Sequence, residues 1–241
     1  MLGNLLKLYV KENERSAGMN MRDDRTIKLL GLKESSVKLP THTKNALLAT
    51  LKVKELGISI ETQQKIGVFA VTWGMFESHL ERAVWILQNE QVDGVRPSTD
   101  KSSAHKWVEV LENGSDDLTP KANDVLKTAA CAAKDLMSYR HSLFHGYLVP
   151  LGDTAMFIRN PSWHGEIRNR ECGDAHIDDN IIDLAIDASW VLFNLIMSIT
   201  KLNEDPASIT FIENFEKEAK RIRSNANEVR HIAALMNHEK Y

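Results

Sequence analysis

The longest regular pattern in the sequence runs from residue 119 to residue 146, and it constrains the fold more than any other feature. Apolar side chains recur there in alternating steps of three and four, so they line one face of an α-helix. Thr119 and Pro120 are a typical N-cap and first-turn pair, and Gly146 predicts a left-handed residue that ends the helix. Such a helix must pack its apolar face against other elements. That face consists of Ala122, Val125, Ala129, Ala132, Leu136, Tyr139 and Leu143.

Other segments repeat this periodicity, and the sequence therefore predicts an all-α helical bundle. From Ser59 to Gln88 the apolar positions keep to one helical face, on which Glu77 takes the place of an apolar residue. A small β-hairpin is predicted around Gly152-Asp153, and residues 159–177 are predicted to be irregular. Further helices are predicted over 41–57, about 100–112, 178–202 and the region after Asp205-Pro206.

The C-terminal region predicts one long amphipathic helix, which we expect to pack on its own bundle and not in a coiled coil. Its stripe consists of Ile212, Phe215, Ala219, Ile222, Ala226, Val229, Ala233 and Met236. The chain is thereby divided into three parts. Residues 1–58 form a basic arm with a short helix, residues 59–203 the helical bundle, and residues 204–241 the C-terminal amphipathic helix.

Composition bounds the class of protein. The chain has 241 residues, of which 43% are hydrophobic, and this is enough for one well-packed core. Cys131 and Cys172 fit neither a disulfide framework nor a CxxC spacing, which predicts a reducing, cytoplasmic location. The net charge of −3 does not indicate a general nucleic-acid coat. Residues 1–65 nevertheless carry 12 Lys and Arg against 7 Asp and Glu, which we interpret as a solvated basic arm.

No segment predicts a membrane span or a membrane partner. The run from Ile181 to Ile199 is the most apolar, but a span needs about 18 or more apolar residues in succession. The residues that interrupt it are Asp183, Asp187, Asn194 and Ser198. The first apolar run of the chain is broken by Lys7 and is too short for a signal peptide. We therefore expect a soluble protein.

Candidate chemistry is concentrated in the segment RHSLFHG, residues 140–146. Arginine and histidine recur with four or five residues between them in three places, so spacing alone does not choose among them. Pro161 would break a helix through the second pair. The third pair contains Gly173, and it precedes a predicted helix instead of ending one. The first pair alone completes a long amphipathic helix. The pairs are Arg140 with His145, Arg159 with His164, and Arg170 with His176.

With Arg140, His141 and His145 followed by Gly146, this helix end resembles the active-site motif of the HEPN superfamily. The segment FAVTWGMFESHLERAVWIL resembles the opening helix of such domains, and the likeness covers about residues 59–203. It implies a HEPN-like bundle with metal-independent endoribonuclease activity, no cofactor and a homodimer whose two motifs face one another. Many relatives are toxins or phage-defence effectors, and some are controlled by an antitoxin protein that adenylylates the tyrosine of an Arg-x4-His-x-Tyr motif. Tyr147 matches that position.

The residue types suit RNA cleavage, because the 2′-hydroxyl of RNA is itself the nucleophile. Cleavage needs a base, an acid and a cation for the phosphate, and histidine and arginine supply them. His145 and its symmetry mate are predicted to share the acid and base roles, Arg140 to stabilise the phosphorane and His141 to position the phosphate. Both histidines are expected to point roughly 140 to 180° away from the core stripe. Arg140 is expected at its edge, held by the carboxylate of Glu77.

Additional RNA contacts are predicted after the hairpin. An aromatic ring can stack on a base, and guanidinium groups can follow the phosphate backbone. The candidate residues are Arg159, Trp163, Arg168 and Arg170.

Three other interpretations stay open. His141 and His145 can be surface residues that favour the negative end of the helix dipole. They also have the i, i+4 spacing that chelates zinc, with His176 or Cys172 as a distant third ligand, although no HExxH motif accompanies them. Finally, the domain can be a catalytically inactive helical module for protein or RNA binding, in which substitution of His145 has no effect.

Overall fold

The computed structural model of the chain describes residues 40–151, 154–159, 165, 174–205 and 207–238, with side chains only as far as Ile232. These residues fall into two compact units. The first contains helix α1 (Thr41–Glu55), which has no buried side chain. The second contains the described residues from Leu56 to Arg159 and from Asp174 onward.

The second unit is a helical bundle with one small sheet, and it confirms the predicted all-α class. Its helices are α2 (Ile60–Leu87), α3 (Ala104–Asn113), α4 (Pro120–His145), α5 (Asp179–Ile199), α6 (Ala207–Asn214) and α7 (Glu216–His238), with a 3-10 turn at Ser98–Lys101. The strands are β1 (Tyr147–Leu151), β2 (Thr154–Ile158) and β3 (Ala175–Ile177). The C-terminal region, predicted as a separate part from residue 204, belongs to this unit.

Helix α4 forms as the sequence predicts. The Thr119 hydroxyl caps it by accepting a hydrogen bond from the Ala122 N–H, and Pro120 is its first residue. All seven side chains of its predicted apolar face are buried, so the periodicity identified the correct face. The helix packs mainly against α7, with α3 on another side.

Gly146 ends α4 for a reason other than the predicted one. Its φ of −80° and ψ of 163° are extended, so the left-handed terminator is wrong. Space explains the glycine instead. A Cβ at this position would lie 2.8 Å from the Cβ of Phe157, closer than real Cβ atoms approach. The end of α4 is therefore in direct contact with strand β2.

The predicted hairpin is confirmed, and a third strand extends it. β1 and β2 pair antiparallel with Leu151 opposite Thr154 and Tyr147 opposite Ile158. Residues 175–177, predicted to be irregular, form β3, which pairs with β2. Three residues are too few for an alternating pattern to stand out in the sequence. The Tyr139 hydroxyl of α4 donates to the His176 carbonyl at 3.2 Å and so ties the sheet to the bundle.

Helix α5 is a central helix of the bundle. Asp178 caps it by accepting hydrogen bonds from the N–H groups of Asn180 and Ile181. It is long and apolar enough to cross a membrane by length and composition, but half of its most apolar stretch is buried within the bundle. Its acidic residues form ion pairs, Asp183 with Lys65 and Asp187 with Arg221.

The C-terminal helix is interrupted. The chain makes α6 and then α7 with a turn at Phe215 between them, so the single continuous helix is wrong. No glycine or proline marks that turn. The prediction that the stripe packs on its own bundle is confirmed, because its central members are completely buried. These are Ile212, Ala219, Ile222, Ala226 and Val229.

Candidate functional site

The C-terminal end of α4 brings three of the predicted site residues together. Arg140 and His141 are half-buried and His145 is exposed, so none of them is turned into the core. The two histidines lie one turn apart with ring centroids separated by 5.7 Å. The cation of a protonated His145 would also meet the free carbonyl groups at the negative end of the helix dipole.

An aromatic stack supports Arg140. Its guanidinium carbon lies 5.7 Å from the centroid of the Phe144 ring, within the range of a cation–π interaction. The Phe144 ring stacks on Phe69 of α2 at 6.3 Å, and Phe69 is completely buried. Phe144 itself is 39% exposed. Arg140 is thus positioned by a ring that is fixed to the core on one side and open to solvent on the other.

Glu77 does not hold Arg140. Its carboxylate accepts a hydrogen bond of 3.1 Å from the Trp73 indole N–H, and among the described residues no ion pair joins it to Arg140. The buried face of α2 is centred on Phe69 and Phe76, both completely buried. The predicted stripe ran along one edge of that face, so Glu77 lies at the margin of the core and not in it.

The hairpin brings a second arginine to the helix end. Because Tyr147 is paired with Ile158, Arg159 directly follows β2 at the level of Gly146, which is next to His145 along the chain. The Arg159 N–H donates a hydrogen bond of 3.0 Å to the carboxylate of Asp174, which is only 3% exposed. The structure therefore groups Arg159 with the motif residues, although it lies 14 positions beyond His145.

Burial and neighbouring cations both act on His141. Loss of solvent lowers the pKa of its imidazole below the ordinary value, and the positive charges of Arg159, Arg140 and His145 lower it further. Near neutral pH the ring is therefore neutral, so it can offer a hydrogen bond but carries no charge. The fixed positive charge of this site comes from the two arginines.

Tyr147 is the first residue of β1 and packs partly buried against Val149, Met156 and Ile158. Its place in a strand is confirmed, and its modification stays a prediction. Trp163, Arg168 and Arg170, the other predicted RNA contacts, lie outside the described residues, as does Cys172.

An ionic cluster around a buried carboxylate, which the sequence did not predict, lies five residues before the motif. Asp135 of α4 is 5% exposed and pairs with Arg223 and with Arg230 Nη1 at 3.0 Å, both on α7. Asp135 adjoins the apolar Leu136 in sequence, which is the one local signal that could have indicated its burial. Removing its charge from water costs free energy that only paired cations can offset.

Metal ligation was the competing interpretation of the two histidines. Within the part of the chain that the structure describes, no three His, Cys, Asp or Glu side chains are grouped so as to hold a metal ion. His176 takes part in β3, and its Nδ1 is buried without a hydrogen-bond partner among those residues.

Comparison with protein-family models, curated proteins and solved structures finds no match in any of the three. The fold and the site define a helical bundle with a three-stranded sheet and a basic, solvent-accessible end of one long helix.

Proposed function

We propose that the protein is an endoribonuclease of the HEPN type that cleaves RNA without a metal ion. The observation that supports this most is the end of α4, where Arg140, His141 and His145 share one surface with Arg159. Among the described residues, no ion pair links Arg140 or Arg159 to a carboxylate. Guanidinium groups that pair with no described carboxylate, placed beside imidazoles, form a suitable binding site for a phosphate diester.

The proposed reaction is transfer of the phosphate to the neighbouring 2′-oxygen. A base removes the 2′-hydroxyl proton as that oxygen attacks phosphorus, and the bond to the 5′-oxygen breaks. An acid delivers a proton to the departing 5′-oxygen. The products are a 2′,3′-cyclic phosphate and a 5′-hydroxyl. Histidine serves both roles near neutral pH, each typically contributing about 10²- to 10⁴-fold.

Among the described residues, one exposed imidazole lies at this position, His145, whereas the reaction needs an acid and a base. We infer that a second copy of the chain supplies the other, in a homodimer with two-fold symmetry. In this assignment Arg140 stabilises the charge on the phosphorane. His141, kept neutral by its surroundings, positions the phosphate through a hydrogen bond.

The test is cleavage of a single-stranded RNA by purified protein in EDTA, with analysis of the product ends. We expect 2′,3′-cyclic phosphate and 5′-hydroxyl ends, and no cut where the nucleotide 5′ of the break carries a 2′-deoxy substitution. Intact RNA at all protein concentrations would contradict the proposal and favour a catalytically inactive binding module. Cleavage that leaves a 5′-phosphate, or that EDTA abolishes, would contradict the proposed chemistry.

A toxin or phage-defence role, with a partner antitoxin acting on Tyr147, would be a setting for this activity. The proposal predicts that expression of the wild-type protein slows bacterial growth, while the His145→Ala protein at equal level does not. Equal growth of the two strains would contradict that setting without affecting the chemistry.

A further inference from the structure

We propose that Arg159 binds a second phosphate of the RNA, next to the one that is cut. The substrate is then a single strand in which two successive phosphates are both bound by the protein. This inference rests on the proposed ribonuclease function and adds a substrate-binding residue from outside the helix motif.

The pairing of the sheet fixes the position of the Arg159 main chain. The pairing of Tyr147 with Ile158 aligns the end of β2 with the end of α4. The close approach of Phe157 to Gly146 leaves no room for even one additional carbon between them. Arg159 follows two residues after Phe157, so its main chain is held within reach of the site.

A hydrogen bond to Asp174 also holds the main chain of Arg159 in place. The nearly buried Asp174 carboxylate accepts the Arg159 main-chain N–H at 3.0 Å and immediately precedes β3. Burial of a carboxylate costs free energy unless hydrogen bonds compensate it. This hydrogen bond therefore stabilises the position of the Arg159 main chain. This hydrogen bond uses the main chain of Arg159, and no ion pair between the two side chains is found among the described residues.

The charge of the site favours two phosphates over one. The positive charges of both arginines act on His141 and lower its pKa. Arg140 is committed to the phosphate beside His145 in the proposed reaction. A second guanidinium near His141 then matches a second negative charge, and successive phosphates of a single strand supply such charges at regular intervals.

The experiment combines Arg159→Gln with a change in the substrate. The probes are RNA-containing oligonucleotides with one ribose at the cut and deoxyribose elsewhere, carrying a neutral methylphosphonate at the linkage 5′ or 3′ of the cut. We expect one of these linkages to lower kcat/KM of the wild type about tenfold, a change typical of losing one charge-assisted contact. Arg159→Gln should show the same loss with the normal substrate and no further loss with the methylphosphonate.

Arg82→Gln is the matched control, because Arg82 is exposed on α2 about 20 Å along the helix from Phe69. It should retain the wild-type response to the methylphosphonate. Arg159→Lys should restore much of the lost kcat/KM, and the salt dependence of KM should become weaker by about 0.7 in log–log slope for Arg159→Gln. A role of Arg159 confined to folding predicts neither the lost methylphosphonate response of Arg159→Gln nor its weaker salt dependence.

The outcomes separate the two proposals. If the wild type cleaves and Arg159→Gln keeps the full methylphosphonate effect, the role of Arg159 is wrong and the ribonuclease function stands. If the wild type cleaves and neither flanking methylphosphonate lowers its kcat/KM, no second phosphate is bound, and the ribonuclease function again stands. If the wild type cleaves no RNA, the proposed function itself is contradicted.

Discussion

Helix α4 carries charged side chains in two places, and these side chains differ in their burial and in their partners. In its middle, Asp135 is buried and paired with Arg223 and Arg230 of α7. At its end, Arg140 lies on an aromatic ring beside two histidines, and no described carboxylate pairs with it. The first arrangement joins two helices, while the second leaves positive charge available to a ligand. This contrast distinguishes a structural cluster from a candidate site on the same helix.

The largest expected effect is a loss of RNA cleavage without a loss of stability, for a substitution at the C-terminal end of α4. His145→Ala should reduce RNA cleavage about 10²- to 10⁴-fold, because it removes a proton-transfer group from an exposed position. Its free energy of unfolding should change by less than about 0.5 kcal/mol. His105→Ala is the matched control, since His105 is also an exposed histidine on a helix, paired with Glu109 four residues on. Equal activities of the two variants would contradict the role of His145.

The middle of the helix should show the reverse behaviour. Asp135→Ala leaves two guanidinium groups without their shared carboxylate and should lower the free energy of unfolding by about 2–3 kcal/mol. This is less than the 3–5 typical of a buried pair, because Arg223 and Arg230 can reach water. Asp183→Ala, which breaks an exposed pair with Lys65, should cost about 1 kcal/mol at most. Urea denaturation compares them, and similar losses would show that Asp135 is not a structural clamp.

Two glycines sharpen the comparison between crowded and open positions. Gly146→Ala should destabilise the protein by about 1–3 kcal/mol, because its methyl group overlaps β2. Gly74 lies on the exposed side of α2, where an added Cβ would meet no atom within 4 Å. Gly74→Ala should therefore stabilise the protein by about 1 kcal/mol. Thermal unfolding measures both. A stable Gly146→Ala protein would mean that the helix end and the sheet are less closely packed than described.

The smallest effect is a pH dependence. In the folded chain burial and nearby cations lower the pKa of His141, so the unfolded chain binds its proton more readily. The stability that this contributes is present above the ordinary pKa and is lost as pH falls through the folded value. Between pH 7.5 and 5.5 the wild type should therefore lose more stability than His141→Gln. Parallel losses in urea denaturation would contradict the described environment of His141.

One side of this contrast, the C-terminal end of α4, could be predicted from the sequence. The N-cap, the apolar spacing and the position of the Arg-His pair are local, so they gave α4 and its exposed end correctly. The partner of Asp135 lies about 90 residues away on α7, and no local pattern indicates it. Glu77 was misplaced because the buried face of α2 also contains Phe69 and Phe76, so its centre lies to one side of the predicted stripe. The grouping of Arg159 with the motif depends on sheet register, which follows from tertiary packing.

The central claim is that two ends of α4, from two chains, act on one phosphate. The most direct measurement mixes wild-type and His145→Ala proteins, allows subunits to exchange at constant total concentration, and follows RNA cleavage against the wild-type fraction. If one site needs both histidines, activity falls as the square of that fraction, to about one quarter in an equal mixture. Activity of about one half, in direct proportion to the wild-type protein, would contradict the shared site.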